Sequence, residues 1–152
     1  MTQDLPRLAN LINGLGKCAA IPSDYSMNGF PIIQWDCNHG QKGMLWSWNA
    51  TSLGSGNRHL CNGHGKCAAS PHNSPSNGVL IQWDHVDQEG QRYRFFESSS
   101  RPGFYLIKND HGKCLSVVDG NKKGNGQHIG TNDCNSSEEG QNWKWKNASR
   151  TI

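Results

Sequence analysis

Three short marks recur along the chain in a fixed order, and the set recurs three times. Gly16-Lys17-Cys18, Gly65-Lys66-Cys67 and Gly112-Lys113-Cys114 stand 49 and 47 residues apart. Each is followed 18 to 20 residues on by a second mark: Trp35-Asp36, Trp83-Asp84 and Asn132-Asp133. A third closes each unit: Trp46-Ser47-Trp48, Tyr93-Arg94-Phe95 and Trp143-Lys144-Trp145. A period of about 48 residues in a chain of 152 means three copies of one small unit. Any surface feature of the unit should then occur three times, with room for the copies to diverge.

The length predicts one domain, residues 1–152, large enough to bury a real core. The copies run from about Leu5 to Thr51, Gly54 to Ser98 and Pro102 to Ser149, with joints too short to be flexible linkers. The chain has 18 glycines, 18% charged residues and no apolar period of 3.6, which predicts a turn-rich β protein. Each copy reads as four strands. The first carries Leu11, Leu60 or Ile107, and the second starts at the cysteine. The third is Ile32–Trp35, Leu80–Trp83 or His128–Thr131, and the fourth holds the aromatic pair. A polar loop ending in Asn-Gly separates the second strand from the third. Twelve such strands can close a barrel, which removes exposed edges. One aromatic of each closing pair is expected in the core.

A net charge of +3 with no basic run beyond Lys122-Lys123 argues against nucleic acid. No stretch reaches the ~20 apolar residues of a membrane helix, so no membrane insertion is expected. Met1 to Asn10 lacks the pattern of a signal peptide. Cys18 and Cys37 hold the same two marks in copy one as Cys114 and Cys134 in copy three, which predicts two equivalent disulfides. Each closed loop is worth about 3 kcal/mol by chain entropy. His85 replaces the second cysteine in copy two, leaving Cys61 as a candidate partner for Cys67. Disulfides point to an extracellular, secreted protein; reduced, buried cysteines are the alternative.

These marks resemble the ricin B-chain type (R-type) lectins. A G-K-C strand start, a W-D-C strand end and a terminal Q-x-W box characterise that family. Gln141-Asn142-Trp143 matches the box fully, Gln91-Arg92-Tyr93 with an aromatic swap, and Met44-Leu45-Trp46 at the tryptophan. The resemblance covers about Leu5 to Ser149 and implies an all-β protein: a β-trefoil of twelve strands in three pseudo-symmetric four-strand repeats. It implies one shallow sugar pocket per repeat. There, a carboxylate two residues after the first cysteine takes sugar hydroxyls, an aromatic two residues before the second cysteine stacks on the ring, and a polar residue before the Q-x-W box adds a bond. A pyranose offers an apolar C–H face and a hydroxyl edge, so the chemistry is sound.

Position by position, the aromatic is present as Trp35 and Trp83 and becomes Asn132 in copy three. The carboxylate positions hold Ala20, Ala69 and Ser116, and the residue before the box is Gly43, Gly90 or Gly140. Substitute anchors are expected from the loops: Asp24 and Tyr25, His72 and Asn73, Asp119 and Asn121, with Asn38 and His39 after the third strand of copy one. Asp36, Asp84 and Asp133 occur in every copy and read as structural, bonding turn backbone.

His59, Cys61, His64 and Cys67 cluster but lack a C-x-x-C knuckle, so no metal is expected. No motif supports a nucleophilic Cys–His pair or a carboxylate pair for glycoside hydrolysis. The expectation is a non-catalytic lectin without a cofactor, binding glycans or glycoproteins through Trp35 and Trp83, with homo-oligomers as a further source of avidity. The alternative is a protein-binding trefoil, a protease inhibitor or a toxin's receptor-binding subunit, with degenerate sugar sites.

Overall fold

The computed structural model describes residues 8–38, 40–50 and 58–146. The repeat limits at Leu5, Thr51, Gly54 and Ser149, and His39, lie outside them. The first strands are β1 (Asn10–Asn13), β5 (Arg58–Asn62) and β10 (Tyr105–Asn109). The second are β2 (Cys18–Ala20), β6 (Cys67–Ala69) and β11 (Cys114–Val117). The third are β3 (Ile33–Trp35), β8 (Ile81–Trp83) and β12 (Ile129–Asn132), and the fourth are β4 (Trp46–Ala50), β9 (Tyr93–Glu97) and β13 (Trp143–Lys146). Among the described residues there is one strand beyond the expected twelve: β7 (Gly78–Val79) ends the polar loop of repeat two and pairs with Gly130 and Thr131 of β12.

The fourth strand of each repeat pairs with the first strand of the next: β4 with β5, β9 with β10, and β13 with β1. Between these hairpins the ladder shrinks to single pairs at equivalent places: Ala9↔Trp46, Arg58↔Tyr93 and Tyr105↔Trp143. Above this ring the second and third strands form three hairpins, β2–β3, β6–β8 and β11–β12. They meet on the pseudo-threefold axis in a triangle of backbone bonds. Ile32 N donates to Leu80 O (2.9 Å), Leu80 N to Ile129 O (3.0 Å) and Ile129 N to Ile32 O (2.8 Å).

The core is built almost wholly of triplets: Leu11, Leu60 and Ile107; Ala19, Ala68 and Leu115; Ile32, Leu80 and Ile129; Trp46, Tyr93 and Trp143. Each such side chain, moved from water to the interior, is worth roughly 1.5–3 kcal/mol for the larger aliphatics. The last triplet also reaches a second-strand carbonyl. Trp46 Nε1 donates to Ala19 O, Trp143 Nε1 to Leu115 O, and the Tyr93 hydroxyl to Ala68 O, at 3.0, 3.1 and 3.2 Å. Burial pushes the Tyr93 hydroxyl pKa up.

The expectation that one aromatic of each closing pair turns inward needs correction. Residues two apart on a strand share a face. Accordingly Trp48, Phe95 and Trp145 lie on the inner side below their partners, with Phe95 4.2 Å from Trp48 and 6.0 Å from Trp145, ring centre to ring centre. The glutamine of the Q-x-W box is a clasp. Gln91 accepts from Val86 N and donates to Asp84 O, both at 2.9 Å. Gln141 does the same with Asn135 N (2.8 Å) and Asp133 O (2.9 Å). In repeat one Met44 keeps only a contact from Asn38 N to its sulfur.

Asp36, Asp84 and Asp133 bind lysines rather than turn backbone. Their partners are Lys17, Lys66 and Lys113 of the G-K-C marks, at 2.6, 2.6 and 2.7 Å. The Asn-Gly loop ends complete the clasp between repeats: Asn125 donates to Asp36 and Asn28 to Asp84. Lys17 and then Asn125 hold the Asp36 carboxyl below its usual pKa, Lys66 and then Asn28 do so for Asp84, and Lys113 for Asp133. These pairs are exposed, so solvent screens them. Buried Gln34 and Gln82 fix the loops from inside. Gln34 donates to the carbonyls of Lys122 and Gly124, and Gln82 to those of Tyr25 and Met27.

Three disulfides form: Cys18–Cys37, Cys114–Cys134 and Cys61–Cys67. The position freed by that third pairing is filled by His85, whose ring packs 4.0 Å from that of fully buried His59. Neither ring nitrogen of His59 has a hydrogen-bond partner. Burial, and then the neighbouring His85, lower its pKa against the opposing pull of Asp87, whose carboxylate lies 3.7 Å away; Arg92 lowers it further.

Two outcomes follow for stability. Gln91→Met, which copies repeat one, leaves Val86 N and Asp84 O without their partner. It should cost about 1–2 kcal/mol in denaturant melts with the CD spectrum unchanged; an unaltered midpoint would contradict the clasp. In the folded chain His59 takes up a proton only at lower pH than an unfolded histidine, which binds one near pH 6.5. Stability should therefore fall as pH drops through about 6.5, well above the range where the clasp carboxylates act. His59→Asn, the residue at the matching Asn10, should flatten thermal midpoints between pH 5 and 7. Parallel profiles for the two proteins would refute this.

Candidate functional site

Alternation along the third strand decides what faces outward. Ile32 and Gln34 turn to the axis and the loops beneath, so Ile33 and Trp35 share the other face. The same holds for Leu80 and Gln82 against Ile81 and Trp83. Trp35 and Trp83 remain 44% and 42% exposed, unlike Trp46 and Trp143. Large aromatics left in water on a rigid strand are available for stacking.

Each of these tryptophans walls a cleft, and the two clefts match residue for residue. The first, about 340 Å³, is lined by Trp35, Ile33, Ala20, Pro22, Ser23 and Gln41. The second, about 470 Å³, is lined by Trp83, Ile81, Ala69, Pro71, His72 and Gln88, with Asn73 at its edge. Both combine an indole, a small apolar floor and a carboxamide. Neither lining includes an Asp or Glu side chain. In repeat three Asn132 stands in the tryptophan's place and donates to Ser116 Oγ at 3.4 Å.

The local backbone explains the missing anchors. After each second strand the chain makes a tight turn through left-handed conformations. Ser23 and Asp24 have φ of 51° and 56°, and His72 and Asn73 have 58° and 54°. In repeat three glycine takes the first place (Gly120, φ 77°) and Asn121 the second (φ 59°). Asp and Asn tolerate this region better than most side chains. The second residue of each pair then caps the glycine before the Q-x-W box: Gly43 N donates to Asp24 Oδ1 (2.7 Å), Gly90 N to Asn73 Oδ1 (2.7 Å) and Gly140 N to Asn121 Oδ1 (2.8 Å). A Cβ on those glycines would come within 3.0 Å of Ile21, 2.9 Å of Ser70 and 3.0 Å of Val117. A side chain there would have to push these neighbours aside. The carboxylate positions Ala20, Ala69 and Ser116 are buried beneath.

The expected site residues therefore divide. Trp83, His72 and Asn73 come together in the second cleft. Trp35 stands in the first with Ser23, while Asp24 turns away; its Oδ1 meets Gly43 N and, at 2.9 Å, His64 Nε2. Tyr25 lines neither cleft but stacks on Phe30, with its carbonyl held by Gln82 of repeat two. Asn38 is exposed and accepts from Gly40 N in a local turn. Asp119 is exposed in the turn before Asn121. Cys61 and Cys67 are joined to each other and so are not metal ligands. Gln41 and Gln88 escaped the sequence reading, although they share one repeat position, three before the box, with Glu138.

No curated protein matches the sequence. Solved structures do. A designed threefold-symmetric protein, ThreeFoil, superposes with a TM-score of 0.80 at 21% identity, covering 91% of this chain and 96% of its own. The exo-β-1,3-galactanase 1,3Gal43A from Clostridium thermocellum gives 0.80 at 23% identity, over 95% of this chain and 31% of that one. The C-half of an earthworm R-type lectin, solved with GalNAc, gives 0.68 at 16% identity, over 93% and 98%. At these identities the likeness is one of fold, a β-trefoil. The sequence itself matches the ricin-type β-trefoil lectin domain model over residues 7–143. The chain thus belongs to the ricin-type β-trefoil lectin domain family.

Proposed function

We propose that this protein is a non-catalytic lectin with two working clefts, in repeats one and two. Membership of the lectin family supports carbohydrate binding, as does the fold shared with lectins such as the earthworm protein solved with GalNAc. The observation that carries the reading is the matched pair of exposed tryptophans, each over an apolar floor with a glutamine at reach. A pyranose C–H face stacks on the indole, and Gln41 or Gln88 offers a donor and an acceptor to ring hydroxyls. With no carboxylate in either lining, no charge-assisted bond supplements them, so one cleft alone binds at about the millimolar level. Two clefts on one chain raise the apparent affinity for a surface bearing many copies of the sugar. Neither lining holds the pair of carboxylates that glycoside hydrolysis uses, which supports binding without hydrolysis. Three disulfides suit a secreted protein. The rival reading, a protein-binding trefoil, draws on the absent carboxylates; the exposed indoles favour the glycan.

A glycan array followed by calorimetry tests this. Trp35→Ala and Trp83→Ala should each remove one of two binding sites or weaken binding at least about tenfold, and the double variant should abolish it. Both side chains are exposed, so the melting temperature should hold. Failure of the wild-type protein to bind any glycan, or full binding by the double variant, would overturn the reading.

A further inference from the structure

The cleft of repeat two has a neighbour. On the other side of Ser70 and Pro71 lies a smaller cleft of about 190 Å³, lined by Ser74, Ser76, Asn77 and Thr131, and Ser70 and Pro71 line both. Ser70 is only 7% exposed, and its Oγ has no hydrogen-bond partner. The scaffold does not require a hydroxyl there. The matching residues in repeats one and three are Ile21 and Val117, both part of the apolar core. The glycine behind approaches all three alike: a Cβ on Gly43, Gly90 or Gly140 would lie 3.0, 2.9 or 3.1 Å from the Cβ of Ile21, Ser70 or Val117. An enclosed hydroxyl without a partner weakens folding, so Ser70 is a local departure from the stable pattern. It lies in the shared lining of both clefts, and a serine hydroxyl turns between staggered positions at little cost.

We propose that the two clefts form one extended site for an uncharged oligosaccharide of two or more pyranose rings. This rests on the lectin reading of the Trp83 cleft. The first ring stacks on Trp83. The second ring enters the smaller cleft, whose lining holds hydroxyls and an amide but no ionisable side chain. Ser70 Oγ turns to the junction and bonds a ligand hydroxyl beside the glycosidic linkage. Repeat one, with Ile21 at the junction, has no such group.

The test uses Trp35→Ala protein, so that Trp83 supplies the single remaining indole wall. Calorimetry compares matched mono-, di- and trisaccharides of galactose, glucose, mannose and N-acetylglucosamine. In the series that binds, affinity should rise about tenfold or more from one ring to two. Ser70→Val and Ser70→Ala should remove most of that gain, and Ser70→Thr should keep it. The melting temperature of Ser70→Val should stay level or rise, which a merely structural serine would not produce together with lost affinity. An absence of length dependence in every series, or disaccharide binding unchanged in both Ser70→Val and Ser70→Ala, would overturn the extended site. If Trp83→Ala in the same background leaves monosaccharide binding intact, or if no sugar binds at all, the lectin reading fails and the extended site with it.

Discussion

Three backbone hydrogen bonds on one axis hold this molecule to its form. Ile32, Leu80 and Ile129 each donate to the next and accept from the one before. No two repeats can make this triangle, and opening it would strand buried N–H and C=O groups. It also sets orientation. With Ile32 and Leu80 facing the axis, strand alternation places Ile33 with Trp35, and Ile81 with Trp83, on the opposite face. The position of each candidate sugar platform is thus a consequence of how the repeats meet.

Around that axis the structure keeps some features threefold and lets others drift. Core triplets, lysine–aspartate clasps and left-handed turns recur in every repeat because each satisfies a backbone or packing demand of the unit. The departures each fall in a single repeat. Asn132 replaces a tryptophan, Met44 replaces the box glutamine, and Ser70 replaces a core aliphatic. In repeat two the disulfide has moved to Cys61–Cys67, and the His59–His85 contact occupies the region left behind. The scaffold tolerates each change because its neighbouring copies keep the shared contacts.

The repeat period, the strand starts at the cysteines, the first and fourth strands and the two equivalent disulfides were all legible in the chain, because each rests on a residue type that recurs at one spacing. The exposure of Trp35 and Trp83 was expected only through the family resemblance, and strand alternation is its physical cause. Other features were not legible. Whether Asp24 serves a ligand or caps Gly43 depends on a left-handed turn that composition does not reveal. Tyr25 lies next to its loop partners in sequence, yet its loop is held by Gln82 of another repeat. Each cleft brings together side chains from three short segments, so Gln41, Gln88 and Ser70 gained meaning only when folded.

The central claim is that sugars are held on two outward indoles while the inward ones support the fold. Indole N–H resonances in ¹H–¹⁵N spectra report on each tryptophan separately. Titration with galactose-, glucose- and N-acetylhexosamine-terminated trisaccharides in turn should shift the signals of Trp35 and Trp83 with at least one ligand. Those of Trp46 and Trp143, bonded to the Ala19 and Leu115 carbonyls, should stay in place. Movement confined to the buried pair, or none in any titration, would contradict the account.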